Sequence, residues 1–198
     1  MRPLIYAANW KMHLAPAEAR AFAEAFLARS EPVAGRTLWF FPSAVSLEAT
    51  AIAFRRRPDV RVGAQDIHWE PKGAFTGATA AVLAQGAGAV GALVGHSERR
   101  HVFGETEAEA GKKVRALLGL GLTAVLCVGE KSEQREAGET ESVCLRQLRA
   151  GLDGIGAADW DGVGKGAIPA TQEALMRYLS GLRFPVTQDG LREQWAIW

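Results

Sequence analysis

The sequence predicts an α/β protein in which a parallel sheet carries helices on its outside. Two observations predict it. Short apolar runs alternate with stretches of helical periodicity, in five successive β–loop–α units at roughly regular spacing. Polar, chemistry-bearing residues also gather directly after several of those runs, and the carboxyl end of a strand is where α/β proteins bind ligands. The densest gathering is Gly95-His96-Ser97-Glu98-Arg99-Arg100, which follows an apolar run through Ala89, Val90, Ala92, Leu93 and Val94. The residues alone leave two readings of it: a site, or a surface turn with a salt-bridged helix start.

Taken in order, Leu4-Ile5-Tyr6-Ala7-Ala8 is a short apolar strand leading into Asn9-Trp10-Lys11-Met12-His13. If the strand continues, the amide of Asn9 and the amine of Lys11 share one side of it; otherwise this is a polar loop. Pro16 to Arg29 reads as a helix with Ala19, Phe22, Ala23, Phe26 and Leu27 on one face, and Pro16 suits its first turn. Thr37 to Phe41 is the second strand, followed by Pro42-Ser43 and a helix around Leu47 to Phe54. Val60 to Ala64 is the third. A polar loop then runs from Gln65 to Gly77. It is long for a compact unit, and its aromatics predict contact with another subunit.

A helix over Thr79 to Gln85 leads to the fourth strand and His96. Thr106-Glu107-Ala108-Glu109 has capping-box form and opens a helix through Leu118, closed by Gly119 and Gly121. Thr123 to Val128 is the fifth strand, ended by Gly129-Glu130. Gly138 to Leu152 holds a further helix with Val143, Leu145, Leu148 and Leu152 as apolar positions. Beyond it the pattern degrades. Pro169 to Leu182 looks helical, while Phe184-Pro185-Val186 and Trp195-Ala196-Ile197-Trp198 are apolar scraps.

Bulk properties narrow the classes. The length of 198 residues fits one domain, 1–198, and 48% hydrophobic content is enough for a sizeable core. A net charge of +1 gives no electrostatic case for nucleic acid or an anionic membrane. Arg55-Arg56-Arg57, beside Pro58, reads as a solvated helix end. Cys127 and Cys144 form neither a disulfide framework nor a CxxC metal site, and Cys127 is expected buried and reduced. No signal peptide is read at the N-terminus, and no stretch approaches the ~18 apolar residues of a membrane span. The expectation is a soluble, cytoplasmic protein.

Five stretches then occur in order at matching spacing: Ala8-Asn9-Trp10-Lys11-Met12, Gly63-Ala64-Gln65-Asp66, Gly73-Ala74-Phe75-Thr76-Gly77, Val94-Gly95-His96-Ser97-Glu98-Arg99-Arg100 and Leu126-Cys127-Val128-Gly129-Glu130. Together they closely resemble the triosephosphate isomerase family over roughly residues 4–152. The resemblance implies a (β/α)₈ barrel with its site at the carboxyl ends of the strands. It implies interconversion of dihydroxyacetone phosphate and D-glyceraldehyde 3-phosphate through an enediolate, with no metal or organic cofactor. By resemblance, His96 and Lys11 are catalytic. His96 polarises the carbonyl as a neutral imidazole, and Lys11 supplies positive charge. Asn9 positions the substrate with Lys11, Glu98 orders the site by pairing with Lys11, Ser97 supports the turn, and Cys127 packs beside the site. The base-and-neutral-imidazole pairing is the family's known chemistry, not something these residues reveal. A homodimer through the 65–77 loop is implied, with Thr76 reaching the neighbouring subunit. Ala78 stands where the family usually has a glutamate that ties this loop to the arginines after the histidine, so that tie is expected to be missing.

The last quarter departs from the pattern. The family's stretch with the catalytic glutamate and phosphate-closing lid is not found intact. Gly162 to Pro169 resembles its end, and Glu193-Gln194-Trp195-Ala196-Ile197 resembles its beginning, which makes Glu193 a remote candidate for the base. The glycine-rich phosphate turns expected after strands seven and eight are missing too, and the chain is about 50 residues short of a typical barrel. The expectation is a barrel incomplete or rearranged at strands six to eight, with exposed edges unless something covers them. Two readings of function remain open: the isomerase, or an impaired or shortened relative that binds a phosphorylated metabolite or a protein partner. A carboxylate placed against a substrate carbon near His96 separates them.

Overall fold

The computed structural model describes residues 4–156. Within them the chain alternates strand and helix: β1 (Leu4–Asn9), α1 (Pro16–Leu27), β2 (Arg36–Phe41), a 3₁₀ turn (Ala44–Ser46), α2 (Leu47–Phe54), β3 (Val60–Val62), α3 (Ala81–Gly86), β4 (Gly91–Val94), α4 (Ser97–His101), α5 (Glu107–Gly119), β5 (Thr123–Leu126), α6 (Ser132–Glu136) and α7 (Thr140–Leu152). The segments expected beyond residue 156, including the 169–182 helix and Glu193, lie outside the described residues.

All strand pairs are parallel. β1 pairs with β2 from Leu4↔Arg36 to Asn9↔Phe41, β2 with β3 around Trp39↔Arg61, and β4 with β5 from Gly91↔Thr123 to Val94↔Leu126. A bridge between Ala64 and Ala92 joins the two groups, with Ala64 N–H donating to Gly91 O and Leu93 N–H to Ala64 O, both at 2.9 Å. The strands therefore run in chain order, with their carboxyl ends on one side.

Strand alternation divides the apolar residues between two faces. Phe40, Val60, Val62, Ala64, Ala92, Val94 and Ala124 face the helices, where they meet Ala19, Leu47, Ala84, Ala110, Val114 and Leu117. Trp39, Phe41, Leu93, Val125 and Cys127 form a separate buried cluster on the other face, with Trp39 and Phe41 stacked at 5.4 Å. On α1, Ala19 and Ala23 are buried. Phe22 is 37% exposed yet has its ring edge on Trp10 at 5.1 Å. Phe40 and Phe54 stack at 4.9 Å, locking α2 onto the sheet. Each fully buried Val, Leu or Phe of these clusters contributes about 1.5–3 kcal/mol.

Several boundaries differ from the sequence reading for identifiable reasons. β3 ends at Val62 rather than Ala64. Gly63 lies against the Phe41 ring so closely that a Cβ would sit 2.5 Å from a ring carbon, and past this point the chain leaves β2 for β4. The expected 79–85 helix starts at Ala81, because Thr79 O accepts the His68 N–H at 2.8 Å and Ala80 bridges His68. The Arg55–Arg57 run is only partly a solvated helix end: Arg55 and Arg56 are exposed, but Arg57 is buried. Its guanidinium meets Asp59 Oδ1 at 2.6 Å and the Ser30 carbonyl. Burial pushes the Asp59 carboxyl up, and the hydrogen bonds from Arg57 and Arg36 with the Arg57 charge more than offset this, leaving it below its usual value. Thr106 caps α5 through reciprocal bonds with Glu109 at 2.8 and 3.2 Å.

Candidate active site

β1 stops at Asn9, and the segment after it turns away from strand geometry. Lys11 adopts φ +50°, a left-handed conformation that a non-glycine residue holds only under constraint. Three hydrogen bonds supply that constraint. Lys11 N–H donates to Asn9 Oδ1 at 2.9 Å, and Gln65 Nε2 donates to Lys11 O at 2.7 Å and to Phe41 O at 2.8 Å. Asn9 and Lys11 therefore reach one place through a turn held by Gln65, not by strand alternation.

His96 follows β4 and caps α4. Its Nδ1 accepts the Glu98 N–H at 3.4 Å, and its Nε2 lies 3.3 Å from Asn9 Nδ2. Glu98 reaches both neighbours: one oxygen is 3.2 Å from Lys11 Nζ, the other 3.5 Å from His96 Nδ1. Burial pushes the His96 pKa below 6.5, Glu98 pulls it up and the Lys11 ammonium pushes it down further. The imidazole is therefore neutral at pH 7. The contact of Nδ1 with the Glu98 N–H assigns the ring proton to Nε2. Because Asn9 Oδ1 is committed to the Lys11 N–H, the Asn9 group beside Nε2 is also a donor. Two N–H donors thus stand side by side, an arrangement suited to a shared oxygen acceptor. Among the described residues Glu98 is the carboxylate in contact with His96. Ser97 opens α4 and is half-buried. Cys127 is buried at the end of β5, and burial pushes its thiol up to about 12, leaving it unreactive.

A charged cluster under this turn was not anticipated. Lys113, on α5, has a side chain only 4% exposed and meets Asp66 at 2.5 Å and Glu105 at 2.7 Å. Arg99 Nε pairs with Asp66 at 3.2 Å and Glu105 at 3.4 Å. Burial pushes the Asp66 carboxyl up while Lys113 and Arg99 pull it down. The sequence did hold a signal: Lys113 interrupts the buried stripe Ala110, Val114, Leu117 of α5. The expectation about the missing loop tie is half right. Ala78 brings no carboxylate, but Asp66, at the start of the same loop, pairs with Arg99. A hollow of about 570 Å³ lies there, lined in part by Ala78, Thr79 and Trp69. In the loop itself His68 stacks between Trp69 (4.2 Å) and Phe75 (4.1 Å), and Phe75 remains 43% exposed.

A parallel α/β protein whose polar residues leave β1, β3 and β4 to meet beyond the strand ends is the class that this fold and site define. The family model for triosephosphate isomerase matches residues 4–164, and the chain belongs to that family. It is similar to the triosephosphate isomerase of Roseiflexus sp. (strain RS-1), 43% identical over 155 residues that cover 78% of this chain and 61% of that protein. The enzyme of Symbiobacterium thermophilum is likewise 43% identical, over 78% of this chain and 60% of that protein. The enzyme of Synechococcus sp. (strain JA-2-3B'a(2-13)) is 38% identical over 208 residues, covering 96% of this chain and 83% of its own length. The chain thus spans about three fifths of the length of the first relatives it matches.

Proposed function

We propose that this chain is an aldose–ketose isomerase that interconverts dihydroxyacetone phosphate and D-glyceraldehyde 3-phosphate. A carboxylate base takes the proton from the carbon beside the carbonyl, the electrons move into an enediolate, and the proton returns to the neighbouring carbon. His96 and Lys11 are the catalytic groups of this reading. The two donors His96 Nε2 and Asn9 Nδ2, 3.3 Å apart, hold the carbonyl oxygen as it gains charge. Lys11 supplies the positive charge for the phosphorylated substrate and enediolate, and Glu98 holds Lys11 in place at 3.2 Å. Ser97 and Cys127 serve the turn and the packing around it. The observation that carries the reading is the meeting of His96, backed at Nδ1 by the Glu98 amide, with Asn9 and with the Lys11–Glu98 pair. The base of this reading is assigned to none of the described residues; Glu193, outside them, is a remote candidate.

The five parallel strands support a sheet that continues toward a (β/α)₈ barrel. The exposed Met12, Phe75 and Phe103 support a homodimer seated on the 65–77 loop, and a cytoplasmic location follows from the same reading. No helix among the described residues is long and apolar enough to cross a membrane. The test is a coupled isomerase assay on the full chain, with His96→Gln lowering kcat by about 10²–10³-fold. No turnover above the blank, or an equal loss of turnover and of phosphorylated-inhibitor binding, sinks the proposal. Ultracentrifugation giving a clean 21.2 kDa particle at micromolar concentration would reject the dimer.

A further inference from the structure

The most flexible residue of the turn that carries His96 is the one most tightly held. Gly95 lies between β4 and α4 with φ +66°, so it redirects the chain out of the sheet. A glycine can adopt many such conformations, and on its own would leave the next side chain poorly aimed. Two charged side chains, the buried Glu105 and the half-buried Arg100, grip it from opposite ends. Glu105 Oε1 accepts the Gly95 N–H at 3.0 Å, which fixes the peptide plane before Gly95. Arg100 Nε donates to the Gly95 carbonyl at 2.6 Å, which fixes the plane after it. Those two planes are the only backbone freedoms Gly95 has, so the pair sets both its dihedrals and hence where the His96 Cα, the root of the imidazole, is placed.

The grip is anchored outside the turn. Arg100 Nη2 also donates to the Cys127 carbonyl at 3.1 Å. The last ladder bond between β4 and β5 is Cys127 N–H to Val94 O at 2.8 Å, so the guanidinium fork continues the strand connection where the ladder stops. Glu105 in turn is held by Lys113 at 2.7 Å. Space confirms the fit, because a Cβ on Gly95 would overlap the Arg100 guanidinium. An ammonium could not replace the fork, since a Lys side chain presents a single point of attachment where two carbonyls must be bridged.

We propose that Arg100 and Glu105 are positioning residues for His96: together they clamp the two peptide planes of Gly95 and so aim the imidazole at Asn9. The inference rests on the isomerase reading for its consequence, but its test does not. The chain has four histidines, so in protein labelled with ¹³Cε1-histidine the His96 signal is the one lost in His96→Gln. Arg100→Met should broaden or split that signal while those of His13 and His68 stay in place. Arg100→Lys, which keeps the charge but not the fork, should do the same. Arg57→Met serves as the control: it removes a buried guanidinium far from the turn and lowers stability without touching the His96 signal. In the assay, Arg100→Lys should lower kcat by about tenfold, the scale of one lost charge-assisted hydrogen bond, with KM little changed. A His96 signal that does not move in Arg100→Lys, or moves no more than those of His13 and His68, overturns the clamp. A chain with no isomerase activity overturns the proposed function instead, because the histidine signals report on the clamp either way.

Discussion

Replacing Lys113 by methionine gives the sharpest test of the buried charge cluster. The Lys113 side chain is 4% exposed and sits 2.5 Å from Asp66 and 2.7 Å from Glu105. Methionine matches its length and fills its space, so little cavity is created and the effect is chiefly electrostatic. The cost falls on what is left behind. Glu105, its side chain 2% exposed, keeps among the described residues Arg99 at 3.4 Å and the Gly95 N–H at 3.0 Å, and Asp66 keeps Arg99 at 3.2 Å. Breaking a buried pair from one side costs 3–5 kcal/mol when the remaining charge is uncompensated. Here the remaining partners put the expected loss at the lower end, about 3 kcal/mol. Urea unfolding of the full chain, followed by circular dichroism, measures it. Lys72→Met on the exposed loop should shift stability by no more than about 0.5 kcal/mol. Adding Glu105→Gln to Lys113→Met should recover part of the loss, because the orphaned charge is gone. A loss under about 1 kcal/mol for Lys113→Met, or none recovered in the double variant, would refute the assignment of Lys113 as the counter-charge of this cluster.

Two further outcomes follow from the packing and the charges. Gly63→Ala drives a methyl to 2.5 Å from the fully buried Phe41 ring and 3.0 Å from Gly91 O, so it should destabilise by about 1–3 kcal/mol; an unchanged urea midpoint would show that the ring yields freely. Asp59 has its folded pKa below its unfolded value, so its contribution is complete above about pH 4 and disappears as pH falls through the folded pKa. Asp59→Asn should therefore flatten the acid side of the stability–pH profile, and identical acid slopes in the two proteins would count against the Arg57–Asp59–Arg36 arrangement.

Much of the architecture was legible because it depends on local rules. Apolar periodicity located every strand of the described residues, and the capping box at Thr106 marked the start of α5 to the residue. Boundaries failed where a distant partner decided them: Thr79 left its helix because its carbonyl serves His68, and Arg57 left solvent because Asp59 and Ser30 receive it. The membership of the site, Asn9, Lys11, His96 and Glu98, was visible as motifs. Its geometry was not, since strand alternation would have placed Lys11 by a rule that the left-handed turn at that residue breaks.

What the sequence by itself determined is the order of strands and helices and the identity of the polar residues at the strand exits, because periodicity and residue chemistry are properties of the chain. Only the tertiary structure decided how those residues meet: Gln65 holding the Lys11 turn, Glu98 standing between an ammonium and an imidazole, and Lys113 buried between two carboxylates. The Gln65–Lys11, Lys11–Glu98 and Asp66–Lys113 contacts join residues tens of positions apart, and a hydrogen bond over 3 Å leaves no trace in a one-dimensional pattern until the chain is folded.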